Sequence, residues 1–312
     1  MKKVYSHSRR SSLAKCARQY FLDVYAVDVT DKPSEFQRGL FDEPEIEHES
    51  MDAALVSHVR EMKQLTNAFQ QAGVILHTLI GQEWQHPDWS PQWFVDQAAR
   101  RFDDTVKRSM NRVEGSVVLL EHYYELPDTD RTIADARERL ARAMSNYIND
   151  THVRNFLNEL RNSDQVFAEQ SIGGLPQIRD LTVMGRIDLV CLQGDQVRVV
   201  DWKMGTAVGD RDSLQLSLYG MWACKKYSVN PECVSIQRVF LADPHVESPI
   251  NLSARSLDRA HVRLLQDAAL MEELHQYGVD GVIDAFPQCD KERVCHQCKY
   301  QGLCLPVISA TA

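Results

Sequence analysis

Apolar residues recur at three- and four-residue steps through the first half of the chain. Leu55, Val59, Met62, Leu65, Phe69 and Leu76 keep that step, the period of a helix with one buried face, and Gly73 is the residue expected to interrupt it. Ile133, Ala136, Leu140, Met144 and Tyr147 mark a second apolar face and predict an amphipathic helix over 131–149. From about residue 165 the texture changes to extended segments, "VFAEQSI", "LTVMGRIDLVCL" and "QVRVVDWKM". A helix is predicted at about 212–226, then a strand "VSIQRVFLA", then a long helix near 253–276. No internal repeat or low-complexity tract interrupts this order. Helices followed by β-β-β-α-β predict an α/β core preceded by a helical region.

The second and third extended segments meet at "CLQGDQVR". Gly194-Asp195 suits a two-residue hairpin turn of type II′, with glycine at its first central position. That turn sets Asp188 directly opposite Asp201, and a slip of one residue would send them to opposite faces. Lys203, two residues past Asp201, shares its face. Facing carboxylates repel in a sheet unless a cation lies between them. A divalent ion such as Mg²⁺ or Mn²⁺ is one answer, since hard cations take carboxylate oxygens. The other is a surface salt-bridge ladder, Asp–Lys–Asp.

Composition narrows the setting. The net charge of −9 over 312 residues argues against a protein that coats duplex DNA without specificity. The charge is uneven, however. Lys2, Lys3, Arg9, Arg10, Lys15 and Arg18 stand near the start without an acid among them, and Arg100, Arg101, Lys107, Arg108 and Arg112 form a second basic stretch. That stretch reads equally as a polyanion patch or as solvated helix face. Acidic residues gather in 42–52, "DEPEIEHESMD", which reads as a solvated loop or linker. No apolar run is long enough to span a bilayer, and the basic start lacks the apolar core of a secretory signal, so a cytoplasmic location and no membrane partner are expected. No G-x4-G-K-[ST] motif is present, so no phosphate-cradling loop of an ATPase is expected.

In a reducing compartment the eight cysteines are expected to be free thiols or metal ligands. "CHQCKYQGLC" places Cys295, Cys298 and Cys304 in a C-x2-C-x5-C spacing. Metal sites and iron–sulfur clusters usually take four protein ligands. With Cys289 as the fourth, the segment would be a small zinc knuckle; with Cys16, it would be a clasp joining the two ends of the chain. Cys191, Cys224 and Cys233 fall in strand or helix patterns and read as buried small apolar residues.

Taken together, the motifs resemble the PD-(D/E)XK nuclease superfamily, and within it the RecB/AddB-like branch. The matching elements are "GRIDLV" with Asp188, "VVDWKMG" with Asp201 and Lys203, "QLSLYG" with Gln215 and Tyr219, "GVILH" with His77, and Glu169 in "VFAEQ". The resemblance implies a restriction-endonuclease-like mixed sheet core flanked by helices. It implies that His77, Asp188, Asp201 and the backbone carbonyl of Trp202 hold the metal, and that Lys203 positions the attacking water. Gln215 and Tyr219 would brace the site or touch the nucleic-acid backbone. Met204 departs from the family pattern, which has a small hydroxyl residue there. A subset of the branch, including CRISPR adaptation nucleases and the AddB subunit, holds a [4Fe-4S] cluster by one cysteine before the core and three after it. By that likeness Cys16, in "SHSRRSSLAKCARQYF", joins Cys295, Cys298 and Cys304.

The expected organisation is one integrated nuclease domain over 1–312. Its parts would be a terminal iron–sulfur clasp (1–30 with 286–312), a helical region (54–160) and an α/β nuclease core (161–285). The expected activity is Mg²⁺- or Mn²⁺-dependent hydrolysis of DNA, single-stranded or at ends, leaving a 5′-phosphate. A helicase or other motor would come from a partner chain, within a repair, CRISPR-adaptation or anti-phage assembly. The rival expectation is a non-catalytic DNA-end-binding or scaffolding subunit with the same fold.

Overall fold

The computed structural model describes residues 4–26, 53–172, 182–205 and 214–304, so the acidic segment 42–52 lies outside the described residues. The order opens with β1 (Val4–Tyr5), α1 (His7–Lys15), α2 (Ala17–Val24), α3 (Ala53–Lys63), β2 (Leu65–Thr66), α4 (Ala68–Gln85) and α5 (Pro91–Met110). It continues through β3 (Val118–Leu119), α6 (Leu120–Tyr123), α7 (Thr129–Asn149), α8 (Thr151–Arg161), β4 (Gln165–Ile172), β5 (Thr182–Val183), β6 (Gly185–Gln193) and β7 (Gln196–Lys203). It ends with α9 (Leu214–Tyr227), β8 (Val234–Phe240), β9 (His245–Val246), β10 (Ile250–Asn251), α10 (Ala254–Val279) and α11 (Glu292–His296). The chain divides into two units, 1–7 with 66–266 and 8–65 with 267–312.

The apolar run over 55–76 is two helices, and its break falls at Asn67 rather than at Gly73. Asn67 Oδ1 accepts from Gln70 N at 2.8 Å while Gln70 Oε1 accepts from Asn67 N at 3.3 Å. This reciprocal capping box satisfies amide donors that an α-helix leaves open at its start, so α4 begins there. Gly73 lies in its interior. Helix α7 buries Ala136, Leu140, Ala143, Met144 and Tyr147, the face that the periodicity marks.

The first unit is built on a mixed sheet ordered β10-β8-β7-β6-β4, with β9 on β8. The hairpin is present: β6 and β7 pair antiparallel from Gln193↔Gln196 to Leu189↔Val200. At its turn Gly194 has φ +54° and Asp195 does not share that sign, as a type II′ turn requires. Strand β8 joins β7 in parallel, which needs a crossover, and α9 supplies it. The segment "LTVMGRIDLVCL" is not one strand. Thr182 and Val183 pair with Val4 and Tyr5 in a separate small sheet, and Met184 N donates to Tyr5 O at 2.8 Å. The chain enters the main sheet only at Gly185. Helices α4, α5, α7 and α8 share one apolar core with Leu189, Val200, Trp202 and Val239 of the sheet. Trp202 is 1% exposed and packs edge-on against Tyr147, ring centroids 5.8 Å apart; truncating such a side chain costs about 3–5 kcal/mol.

In the second unit the earliest and latest described segments pack together. Tyr20, Phe21 and Tyr25 of the N-terminal segment surround Phe286 at ring-centroid distances of 5.1–6.4 Å. Arg18 Nε donates to Phe286 O at 2.8 Å, and Tyr300 OH donates to Asp23 Oδ1 at 2.9 Å. Among the described residues no helix is long and apolar enough to cross a membrane.

Candidate functional site

Three neighbouring strands bring three acids to one level of the sheet. The register Ala168↔Leu189 and Gln170↔Ile187 sets Glu169 against Asp188. The register ending at Leu189↔Val200, carried one step further, sets Asp188 against Asp201. Both ladders give way at this level. Glu169 adopts φ +54°, a left-handed conformation that costs a non-glycine residue about 1 kcal/mol or more and clusters at functional sites. On the other side Trp202 N donates at 2.8 Å to the Asp188 carboxylate instead of to a strand carbonyl.

Each acid is answered by a basic side chain of the chain. His77 Nδ1 lies 3.1 Å from Asp188 Oδ1, and Lys203 Nζ lies 2.7 Å from Asp201 Oδ2. Arg186, whose side chain is 61% exposed, pairs with Glu169. The Asp201 side chain is only 3% exposed. Its Oδ2 makes no hydrogen bond, so the Lys203 ammonium holds it as an off-axis ion pair. Burial pushes the Asp201 carboxyl above the usual range, Lys203 opposes that, and Asp188 adds to it. Burial likewise raises Glu169 against the pull of Arg186. Burial alone would lower the His77 imidazole, but the hydrogen bond and charge of Asp188, with the charge of Asp201, leave it above its ordinary value.

Two helices frame the row. On α4, Gly73 and Gly81 lie one turn either side of His77. A Cβ at Gly81 would stand 2.8 Å from Glu169 Cγ, whereas one at Gly73 would meet nothing within 4 Å. On α9, Gln215 Nε2 donates to Tyr219 OH at 2.6 Å, and Tyr219 OH donates to Arg186 O at 2.9 Å. Burial and the charges of Asp201 and Asp188 hold the Tyr219 phenol far above its usual pKa, so it stays neutral and can donate.

The structure thus gathers His77, Asp188, Asp201, Lys203 and Glu169, with Gln215 and Tyr219 bracing the backbone of the Arg186 strand. Trp202 contributes its N–H to Asp188. Met204 packs against the core. Arg186 and Gly81 were given no role on sequence grounds. Arg186 had a signal in its two-residue offset from Asp188 on one strand, and Gly81 in its four-residue offset from His77 on one helix. In the basic stretch along α5 and the turn after it, Arg101 donates to Gln82 at 3.0 Å and Asp103 pairs with Arg137 at 2.6 Å, while Arg100, Lys107, Arg108 and Arg112 are exposed.

A second constellation lies in the other unit. Cys16, Cys289, Cys295, Cys298 and Cys304 line one pocket, together with Gln19 and Gln301 among others. Cys16 is the N-cap of α2, its sulfur accepting from Gln19 N at 3.5 Å. Burial, with Cys16 and Cys304 nearby, pushes the Cys298 thiol up to about 12. Burial also raises Cys295 and Cys304, with neighbouring thiols adding to it. All eight cysteines are free. Position does not choose between Cys16 and Cys289, since both line the pocket. Cys191 is buried as expected, whereas Cys224 and Cys233 are only half-buried. Among the described residues no three His, Cys, Asp or Glu side chains stand close enough together to hold a metal ion.

The family model of the PD-(D/E)XK nuclease superfamily matches residues 4–305. No curated protein matches the chain.

Proposed function

The chain belongs to the PD-(D/E)XK nuclease superfamily, and from that premise we propose that it is a metal-dependent deoxyribonuclease of the RecB/AddB-like branch. Members of the superfamily are generally metal-dependent nucleases that act on DNA. The observation that carries the proposal is the row Glu169, Asp188, Asp201 with Lys203 at 2.7 Å from the last of them. The donor chemistry suits a hard divalent cation: three acids share one level of the sheet, and such an ion would draw together side chains that, among the described residues, do not stand close enough to hold it on their own. His77, Asp188, Asp201 and the Trp202 carbonyl are the residues that would hold it. When bound, Mg²⁺ or Mn²⁺ would act as a Lewis acid toward the scissile phosphate and offset the carboxylate charge.

The chain's own groups take the remaining tasks. Lys203 orients the attacking water and faces the negative charge that grows on the phosphate. Tyr219 and Gln215 fix the strand that carries Arg186 and Asp188. The substrate is single-stranded DNA or a frayed end, and any unwinding motor comes from a partner chain in a repair, CRISPR-adaptation or anti-phage assembly.

We assign a [4Fe-4S] cluster to the cysteine pocket, held by Cys16, Cys295, Cys298 and Cys304. The donor set supports this. Five thiols line one cavity, and the amino end of α2, where amide donors and the helix dipole favour negative charge, carries Cys16. A single zinc ion would draw four thiolates onto one point, whereas a cluster spreads them around a larger body.

Purified protein is expected to degrade single-stranded DNA with Mg²⁺ or Mn²⁺. Asp201→Ala and Lys203→Ala should each lower the rate about a hundredfold or more; undiminished cleavage in both sinks the catalytic assignment. Binding of DNA ends without cleavage by the wild type would establish the scaffolding role instead. Anaerobic preparations should be brown, and Cys16→Ser should bleach them. If Cys289→Ser bleaches them and Cys16→Ser does not, the fourth ligand is Cys289.

A further inference from the structure

The cysteine pocket is lined by one residue whose side-chain donor no described residue satisfies. Gln301 is 3% exposed and lines the pocket beside the five thiols. Its backbone N–H is used, donating to Cys298 O at 3.1 Å. Its side-chain Nε2 is buried without a hydrogen-bond partner among the described residues. Buried amide donors are almost always paired, and an orphan one costs the fold its lost hydration. A glutamine kept dry and unpaired beside a set of ligating groups therefore points to a partner that arrives with the ligand. The thiols around it are weak acceptors while protonated. Thiolates, and the inorganic sulfides of a cluster, are good ones.

We propose that Gln301 donates its side-chain amide to a sulfur of the group bound in this pocket, and that this bond sets the group's reduction potential. The inference rests on the cluster reading given above. Hydrogen bonds to cluster sulfurs are among the factors that tune the potential. The reduced cluster carries one more negative charge than the oxidised one, so a donor N–H favours the reduced form. The role is that of a positioning and tuning residue, since four other side chains would hold the iron.

The test compares the wild-type full chain with Gln301→Met, which keeps the length and apolar fit but removes the donor, and with Gln301→Glu, which replaces the donor by an acceptor. Each is prepared anaerobically, assayed for iron and acid-labile sulfide per chain, and titrated with dithionite while the visible absorbance is followed. Equal iron and sulfide, with potentials that become more negative from wild type to Met to Glu and altered Fe–S stretching bands, is the expected result. Equal potentials and unchanged bands in all three overturn the inference and leave the cluster reading intact. A wild type that carries no iron and sulfide overturns the cluster reading itself, and this inference with it. Where Gln301→Met folds but loses the cluster, Gln301→Asn decides. Recovery of the cluster by that shorter amide supports the donated bond, and failure to recover it counts against the bond.

Discussion

The carboxylate row and the thiol pocket solve opposite problems. The row is assembled by strand register, from residues that a single hairpin and its neighbour bring to one level, and each acid has a basic side chain beside it. Lys203 answers Asp201 at 2.7 Å, His77 answers Asp188 at 3.1 Å and Arg186 answers Glu169. The pocket is assembled by packing of segments from the two ends of the sequence, held by the aromatic cluster around Phe286 and by Arg18. No lysine, arginine or histidine lines it among the described residues. Burial raises the thiols of Cys295, Cys298 and Cys304. The difference teaches that charge can be stored before a ligand arrives only where fixed counter-charges are built in. Where they are not, the donors stay protonated, and binding a metal must expel protons.

The largest effect should come from a change that leaves the shape of the row untouched. Asp201→Asn removes the buried charge while keeping the side chain's size, and cleavage of single-stranded DNA should fall about 10³-fold or more. If the pocket carries the proposed cluster, the iron and sulfide content should stay as in the wild type, and loss of iron and sulfide in this variant would break the comparison. A second experiment tests the neutral pocket directly. In protein treated with a chelator so that no metal is bound, Cys298, pushed up to about 12, should react with iodoacetamide near pH 8 at least about a hundredfold more slowly than an exposed cysteine, because the thiolate is the nucleophile. The sign follows from the raised value: the neutral thiol is favoured in the fold, so reactivity should climb as pH rises toward that value. Rapid labelling near neutrality would show that the thiols are already ionised.

How much of this was legible in the sequence depends on how local each feature is. The hairpin was readable because its alternation, its Gly194-Asp195 turn and its facing acids all lie within a score of residues. The split between α3 and α4 was not, because Leu65 and Phe69 continue the helical period across the break and Asn67 hides its cap among them. The pairing of Thr182 with Val4 joins segments that no pattern connects, so the strand "LTVMGRIDLVCL" read as continuous. The left-handed turn at Glu169 leaves no trace in residue type. Cys16 and Cys289 remained alternatives by spacing, and the fold explains why: the same pocket takes both.

The smallest expected effects come from the two glycines on α4, and they carry opposite signs. Alanine is the better helix former by about 1 kcal/mol, so either substitution gains that much from propensity alone. At Gly81 the added Cβ would stand 2.8 Å from Glu169 Cγ, and the half-buried Glu169 side chain, paired with Arg186, has to move. Overpacking of this kind costs about 1–3 kcal/mol, so Gly81→Ala should lower Tm by a few degrees and weaken cleavage about tenfold by displacing Glu169. At Gly73 the Cβ meets nothing within 4 Å, so Gly73→Ala should raise Tm by about 2 °C. Thermal melts of both variants decide the matter. A rise at both positions would mean that Glu169 is not wedged against α4, and that the row of acids is set by strand register without help from the helix that carries His77.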